Sequence, residues 1–384
     1  MKTVLVHSPE LERYSFGVDH PMGPGRVELT LALARQLGIL DGVQVIEPPL
    51  GDQSLLASVH DEIYIAAVRA DREASIFGIG TADNPLVQGM HDIASQICAA
   101  TTEAARQVWT GRAQRAINVS GGLHHAMPTG TSGFCVYNDL GVAAQWLKAN
   151  GAKRIAYVDV DAHHGDGVQK IFYNDPDVLT VSIHENPAYL FPGTGYPTEV
   201  GGVGALGSAV NVALPPGTGD AGWLRAFEAI VPPVLEAFQP DILITQHGCD
   251  SHADDPLTDL TLTLGGQVES YRRLGELADQ YAHGRWVVTG GGGYAMPWVL
   301  PRAWAQLIGV VSGHPVDPET PMPSGWMPET WRSIAGPGPA TVGEPEPEFT
   351  PITAGIDPAD PVDQAILATR RAAFPELGLD PDTF

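Results

Sequence analysis

Short apolar strand patterns alternate with helical patterns through the second half of the chain. Strand patterns cover residues 115–119, 154–158, 178–183, 241–245 and 286–289. Helical patterns fill the gaps at residues 139–148, 222–238 and 265–281. This alternation is typical of a parallel sheet whose strands are joined by helices. We therefore predict an α/β fold, a single doubly wound and mostly parallel sheet with helices on both faces.

The first half of the chain is predicted to extend this sheet. Strand patterns occur at residues 1–7 and 43–46, and helical patterns at 26–40, 53–69 and 89–109. The apolar run at the N-terminus is too short for a signal peptide and is interpreted as the first strand. The chain contains no run of about 18 apolar residues, so we expect no membrane span.

Each of the five later strands ends in Gly, His, Asp or Tyr. The carboxyl ends of parallel strands meet at one edge of a sheet, and ligands bind there. The densest group is Asp159 to Asp166, which follows the strand at 154–158. Asp159, Asp161 and His163 alternate along an extended segment and can therefore share one face.

Two oxygen donors and one nitrogen donor suit a borderline divalent cation, zinc first, with iron(II) or cobalt next. Asp161 and His163 would supply two ligands, and Asp250, beyond another strand, is the candidate for the third. The competing interpretation is an Asp-rich turn whose histidines cap a helix. The density of the cluster, and its repetition at other strand ends, favours the metal site.

Further side chains at this edge could move protons. His124 and His125 are adjacent, and Asp159 and Asp166 are acids that could fix their tautomers. Tyr294 follows four glycines, which would let its hydroxyl approach a developing oxyanion. The alternatives are two structural histidines and a core tyrosine.

The charge and the cysteines of the chain restrict its possible binding partners and its cellular compartment. The chain has 45 acidic and 21 basic residues and a formal charge of −24, which argues against nucleic acid, because phosphate binding requires a basic face. An acidic surface suits a cationic substrate, although more often it only keeps a protein soluble. The three cysteines, Cys98, Cys135 and Cys249, have no CxxC spacing, so we expect a reducing cytoplasm.

Residues 315–384, called the arm below, differ from the rest of the chain. The arm holds 14 of the 33 prolines, and its 12 acidic residues outnumber its three basic ones. We predict a catalytic domain at residues 1–314, followed by a Pro-rich acidic arm that wraps the domain or is partly disordered. A short helix is expected near residues 362–373.

Seven motifs, in this order, resemble those of the zinc-dependent histone deacetylase family, and more closely its bacterial acetoin-utilisation branch. They are His20-Pro-Met with Arg26, residues 121–126 (GGLHHA), 132–139 (SGFCVYND), 159–167 (DVDAHHGDG), 191–195 (FPGTG), 248–257 (GCDSHADDPL) and 290–294 (GGGGY). The likeness runs from about residue 2 to residue 310. It implies an arginase/deacetylase-like fold.

The resemblance also implies roles for the residues at the sheet edge. Asp161, His163 and Asp250 would hold zinc. His124 would be the general base and His125 its electrostatic partner, backed by Asp159 and Asp166 respectively, and Tyr294 would polarise an acetyl carbonyl.

The family likeness implies a narrow tunnel and a second ion. Gly133, Phe134 and Phe191 would wall the tunnel for the stem of acetyl-lysine, with Leu257 near its mouth. Asp83 would grip the substrate backbone at the rim, and Arg26 would line an inner cavity through which acetate leaves. A structural potassium ion would lie by the backbone of Asp159, Asp161 and His163 and by the hydroxyl of Ser182.

The expected activity is removal of acetyl groups from lysine side chains of proteins, for example a metabolic enzyme such as acetyl-CoA synthetase. Histones are doubtful substrates, because so acidic a chain gives no support for the basic, inositol-phosphate-binding surface of nuclear complexes, and the arm differs from eukaryotic tails. An acetylpolyamine amidohydrolase would need a constricted, dimer-capped tunnel and long insertions, which are not found. A non-catalytic acetyl-lysine-binding scaffold is the third possibility. A binuclear manganese ureohydrolase would need a second aspartate cluster. The oligomeric state stays open.

Overall fold

The computed structural model describes residues 2–383. Its sheet has eight strands, all paired in parallel, in the order β2-β1-β3-β8-β7-β4-β5-β6. The strands are β1 (Thr3–Val6), β2 (Gln44–Ile46), β3 (Arg115–Asn118), β4 (Ile155–Asp159), β5 (Val178–Glu185), β6 (Ala209–Leu214), β7 (Ile242–Gln246) and β8 (Trp286–Thr289).

Eleven α-helices occur in the described residues. They are α1 (Arg26–Gln36), α2 (Gln53–Leu56), α3 (Glu62–Arg69), α4 (Met90–Trp109), α5 (Asp139–Ala149), α6 (Asp166–Phe172), α7 (Asp220–Phe238), α8 (Leu264–Tyr281), α9 (Leu300–Ser312), α10 (Glu329–Arg332) and α11 (Pro361–Ala373). Helices α1, α7, α8 and α9 contribute to one hydrophobic cluster, and α3, α4 and α5 to a second. The predicted doubly wound architecture is confirmed.

The central strands read as continuous apolar runs because helices cover both of their faces. Every residue of β4, β7 and β8 is buried. Since β4 lies between β5 and β7, its end at Asp159 is surrounded by the ends of its neighbours. This position in the sheet brings the polar strand ends together.

Some predicted boundaries differ from the structure. The strand predicted at residues 1–7 is β1, and Met1 lies outside the described residues. A single helix at 53–69 is wrong, because Asp61 caps a separate helix, α3. The helix predicted to reach Leu40 ends at Gln36, before the left-handed Gly38. Strand β6 was missed; it pairs with β5, and α11 packs against it.

The described part of the arm, residues 315–383, packs against the rest of the chain. Its Val342, Ile352 and Phe374 are buried, and the last two belong to the cluster on the α7–α9 side. Arg225 of α7 pairs with Asp363 at 2.6 Å. Helix α11 confirms the helix expected near residues 362–373. The wrapping interpretation therefore describes the arm, while the domain boundary at residue 314 stays a prediction.

Within residues 2–383, no helix combines the length and the apolar character that crossing a bilayer requires.

Candidate active site

Two carboxylates and one imidazole converge at the carboxyl end of the sheet. His163 Nδ1 lies 3.1 Å from Asp161 Oδ1 and 3.0 Å from Asp250 Oδ2. One ligand atom from each residue falls within 4.8 Å of the others, and all three residues are buried. Asp161 and His163 follow β4, whereas Asp250 follows the neighbouring strand β7. The predicted triad is therefore assembled by strand order.

The triad is held by hydrogen bonds that leave ligand atoms facing one another. Gln246 Nε2 and the Gly292 amide each donate to Asp161 Oδ2 at 2.8 Å. The Ala162 amide donates to Asp250 Oδ1 at 2.9 Å. Both carboxylates are therefore oriented before any ion binds, as metal sites require of their supporting groups.

The electrostatics of the triad fit a divalent cation. Burial and the neighbouring charge of Asp161 raise the pKa of Asp250 to about 6. Burial disfavours a charged His163, yet hydrogen bonds and charges from both aspartates outweigh it and raise its pKa well above its usual range. The two adjacent buried carboxylates thus favour a positive charge between them. The oxygen and nitrogen donors of the triad match the ligands that zinc or iron(II) prefers.

Two glycines make room for the carboxylates. A Cβ atom on Gly248 would lie 1.9 Å from Asp161 Oδ2, and one on Gly292 would lie 2.0 Å from Asp250 Oδ2. Any larger residue would displace a ligand. The glycines that the sequence shows after β7 and β8 are therefore required by the site.

Two histidine–carboxylate pairs lie beside the triad. His124 Nδ1 is 2.7 Å from Asp159 Oδ2, and His125 Nδ1 is 2.6 Å from Asp166 Oδ1. The ring centroids are 4.0 Å apart. Each pairing fixes the tautomer so that Nε2 is the free nitrogen. These are the pairs that the resemblance implied.

The two histidines hold their protons differently. Burial opposes charge on His124, but Asp159 and Asp161 outweigh it and raise its pKa to about 9. Burial and the charge of His124 lower the pKa of His125, against the opposing effect of Asp166. Since the ring centroids are only 4.0 Å apart, the two histidines titrate as a coupled pair, in which the neighbouring carboxylates favour positive charge on His124.

Tyr294 is placed by a glycine segment that is anchored from two sides. Its amide donates to Asp255 Oδ2 at 2.7 Å. The Arg26 guanidinium donates to the carbonyl oxygens of Gly291, at 2.6 Å, and Gly293, at 3.1 Å, and lies 5.6 Å from the Tyr294 ring centroid. Arg26 also borders a small cavity, and the release of acetate through it stays a prediction. Its contacts show that it holds the glycine segment too.

Aromatic side chains stand on two sides of the centre. The Phe191 ring lies 5.0 Å from that of His125, and the Phe134 ring lies 5.7 Å from that of Tyr294. A Cβ on Gly133 would lie 2.3 Å from the His125 ring and 2.9 Å from Phe191. Glycine at position 133 therefore keeps the space above the histidines narrow but open.

The remaining predicted substrate contacts lie near this opening. The exposed Asp83 accepts a hydrogen bond from the Gly133 amide at 3.0 Å, and so it borders the aromatic wall. Leu257 is half-buried, and its amide donates a hydrogen bond to Asp255 Oδ1 at 3.1 Å, in the loop that anchors Tyr294. Both are close in the fold to residues that line the centre.

Ser182 can offer an oxygen to a cation. His184 Nε2 lies 2.8 Å from the carbonyl oxygen of Gly195, so this nitrogen carries the proton. Its Nδ1 therefore accepts a hydrogen bond from the Ser182 hydroxyl at 2.8 Å. Burial lowers the pKa of His184 well below its usual value. Ser182 thus donates to a neutral imidazole and keeps its oxygen lone pairs.

Three supporting residues escaped the sequence analysis. Tyr157 donates its hydroxyl to Asp159 Oδ2 at 2.5 Å, Gln246 donates to Asp161, and Asp255 holds the Tyr294 amide. Tyr157 precedes Asp159 by two positions in β4, which puts both side chains on one face. That spacing was the available signal for Tyr157.

Comparison with known proteins identifies the arrangement. Residues 20–311 match the family model described as the histone deacetylase domain. The chain belongs to the histone deacetylase family. It is 40% identical over 328 residues to the acetoin utilization protein AcuC of Bacillus subtilis (strain 168), which covers 83% of this chain and 85% of that protein. The AcuC protein of Staphylococcus aureus (strain MSSA476) is 36% identical over 337 residues, 86% of this chain and 85% of its own.

Solved structures of histone deacetylase homologues share the fold. The crystal structure of a homologue from Aquifex aeolicus superposes with a TM-score of 0.82 at 26% identity, covering 96% of this chain and 100% of that one. A homologue crystallised with SAHA gives 0.81 at 26% identity, covering 96% and 99%. The predicted family, its acetoin-utilisation branch and the arginase/deacetylase fold are confirmed. The chain is a deacetylase of this family, whose members act on acetylated substrates.

Proposed function

We propose that this histone deacetylase family member hydrolyses N-ε-acetyl-lysine in proteins, with one divalent ion held by Asp161, His163 and Asp250. Zinc is the first choice and iron(II) the second. The single observation that carries the proposal is the buried triad, whose ligand atoms meet within 4.8 Å. The two adjacent histidine–carboxylate pairs complete a hydrolytic site.

A divalent ion in the triad would supply Lewis acidity, which lowers the pKa of water and polarises an amide carbonyl. The chain itself must move the protons and stabilise the oxyanion. Tyr294 donates its hydroxyl to the acetyl oxygen as negative charge develops there. Asp255 and Arg26 fix the backbone on either side of that tyrosine.

Electrostatics favour His125 as the proton acceptor. Its pKa is lowered, so the neutral imidazole is available at Nε2 near neutral pH. His124, whose pKa is raised, provides positive charge beside the oxyanion. We therefore propose the reverse of the order that the resemblance implied, with His125 as general base and His124 as electrostatic partner.

The walls of the opening suit a lysine side chain. Gly133, Phe134 and Phe191 would enclose its aliphatic stem, and Asp83 would receive the backbone at the rim. The formal charge of −24 favours lysine-rich protein surfaces and disfavours nucleic acid. A metabolic enzyme such as acetyl-CoA synthetase in the cytoplasm is the type of substrate we propose.

A potassium ion near Ser182 is part of the proposal. The Ser182 hydroxyl donates its hydrogen bond to His184, so the lone pairs of its oxygen are available to a cation. The backbone around Asp159, Asp161 and His163 would supply the other oxygens. The ion would support the segment that carries two of the three metal ligands.

The proposal is tested by comparing two substrates and two variants. The wild type should hydrolyse an acetyl-lysine peptide with a far higher kcat/KM than N-acetylputrescine. Asp250→Ala should lower kcat/KM for the peptide by about 1,000-fold or more, because the variant lacks one of the three ligands of the catalytic metal. Asp254→Ala, an exposed aspartate in the same loop, is the matched control and should retain activity.

Each alternative predicts a different result. Preferential turnover of N-acetylputrescine would support an acetylpolyamine amidohydrolase. Binding of the peptide without hydrolysis by the wild type would support a scaffold. Full activity in Asp250→Ala would contradict the role of the triad.

A further inference from the structure

A cavity of about 470 Å³ lies beside the catalytic centre, and the arm forms part of its wall. Tyr294 and Arg26, which belong to the centre, border it on one side. Trp331 and Ile334 of the arm border it on another. We call this space the side cavity. Its volume lies within the range of about 300–1,000 Å³ typical of ligand sites.

The arm is firmly placed where it borders the side cavity. A Cβ on Gly25 would lie 2.4 Å from the Trp331 ring, so this ring packs directly on the backbone before α1. Trp298 Nε1 donates to the carbonyl oxygen of Ala335 at 2.7 Å. Within the arm, Arg332 donates to the Met327 carbonyl at 2.8 Å, which fixes the local fold of the segment. The wall is therefore a docked part of the structure.

The side cavity has the character of an apolar site. Val18 and Ile334 border it although 83% and 74% of their surfaces are exposed. Exposed apolar side chains that line a concave surface mark binding sites. The charged group in the wall, Arg26, directs its guanidinium at the carbonyls of Gly291 and Gly293. An aliphatic group fits this lining better than an ion.

The side cavity lies next to the residues that would wall the tunnel for the acetylated side chain. The His20 ring borders the cavity and lies 4.7 Å from the ring of Phe134, which would form part of the tunnel wall. Phe134 in turn lies 5.7 Å from Tyr294. An extended polypeptide advances about 3.3 Å per residue. A residue close in sequence to the acetylated lysine can therefore reach the side cavity.

We infer that the side cavity receives an aliphatic side chain of a polypeptide substrate, located one to three residues from the acetyl-lysine. The inference rests on the proposed function and narrows its substrate class. It gives the arm a role in selecting substrates through Trp331 and Ile334. Small acetylated amines have no side chain to place there.

The test uses short capped peptides with one acetyl-lysine flanked by glycines, and with leucine at one flanking position at a time. Leucine at one position within three residues should raise kcat/KM by about tenfold, the effect of filling an apolar pocket. Ile334→Asp should abolish most of this advantage. For each variant, the ratio of kcat/KM for the leucine peptide to kcat/KM for the glycine peptide is measured. A general loss of activity lowers both values and cancels in this ratio.

Val203→Asp is the matched control, because Val203 is 97% exposed and does not line the side cavity. It should keep the leucine advantage of the wild type. Equal turnover of leucine and glycine peptides by the wild type would overturn the inference and leave the proposed function intact. So would a full leucine advantage in Ile334→Asp. Failure to hydrolyse any acetyl-lysine peptide would overturn the proposed function, and the inference with it.

Discussion

Replacing Gly292 by alanine tests whether the metal ligands need the close approach that the structure shows. The new Cβ would lie 2.0 Å from Asp250 Oδ2 and 2.8 Å from Asp161 Oδ2, whereas real Cβ contacts stay above 3.0 Å. A carboxylate oxygen must therefore move by about 1 Å, while metal–ligand distances vary by only about 0.2 Å. Gly292 does not have a left-handed conformation, so the effect is steric.

We expect the Gly292→Ala protein to bind zinc at least about 100-fold more weakly, similar to or beyond the loss of a supporting hydrogen bond. Metal-stripped protein would compete with a chromophoric chelator for Zn²⁺, and circular dichroism would report the fold. Gly219→Ala is the control, because its Cβ would lie 3.3 Å from the Thr261 oxygens and would have no triad atom within 4 Å. Wild-type zinc affinity in a folded Gly292→Ala protein would refute the reasoning.

Three further predictions concern proton transfer, the oxyanion and the arm. Asp166→Asn removes a charge that raises the pKa of His125, so the acid limb of the kcat/KM profile should move to lower pH as activity falls; a move to higher pH would contradict the assignment of His125 as base. Tyr294→Phe should lower kcat by about 100- to 1,000-fold with a smaller change in KM, because only the oxyanion donor is lost; steady-state kinetics with unchanged kcat would exclude that role. Arg225→Ala removes the charged partner of Asp363, a carboxylate of 3% exposure that keeps the Asp357 amide as a donor, and should cost about 3 kcal/mol in urea unfolding. The ion pair between Arg332 and Glu329 is exposed, with 54% and 79% of the two side chains accessible, so Glu329→Ala should cost under about 1 kcal/mol. Equal losses of unfolding free energy in Arg225→Ala and Glu329→Ala would contradict the tight docking of the arm.

The catalytic edge could be predicted because its information is local. Asp161 and His163 alternate along an extended segment, and the carboxyl ends of parallel strands must meet. Asp250 could be added because it follows another strand of the same sheet. Strand order, which no local pattern contains, then brought β7 beside β4.

What escaped prediction depends on contacts distant in sequence. Tyr157 resembles an ordinary core residue of β4 until its hydroxyl is seen at Asp159. Gln246 is the last residue of β7, and its bond to Asp161 requires the β4–β7 register. The sequence predicted only a Pro-rich acidic arm with one short helix, yet the packing of Trp331 on Gly25 places the arm beside Tyr294.

The most direct test of the account is a metal titration of stripped wild-type protein during hydrolysis of an acetyl-lysine peptide. The triad predicts no turnover without metal, and recovery in proportion to added Zn²⁺ or anaerobic Fe²⁺ up to one ion per chain. The Asp250→Ala protein should stay inactive throughout the titration. Undiminished hydrolysis by protein shown by elemental analysis to be free of metal would contradict the central claim.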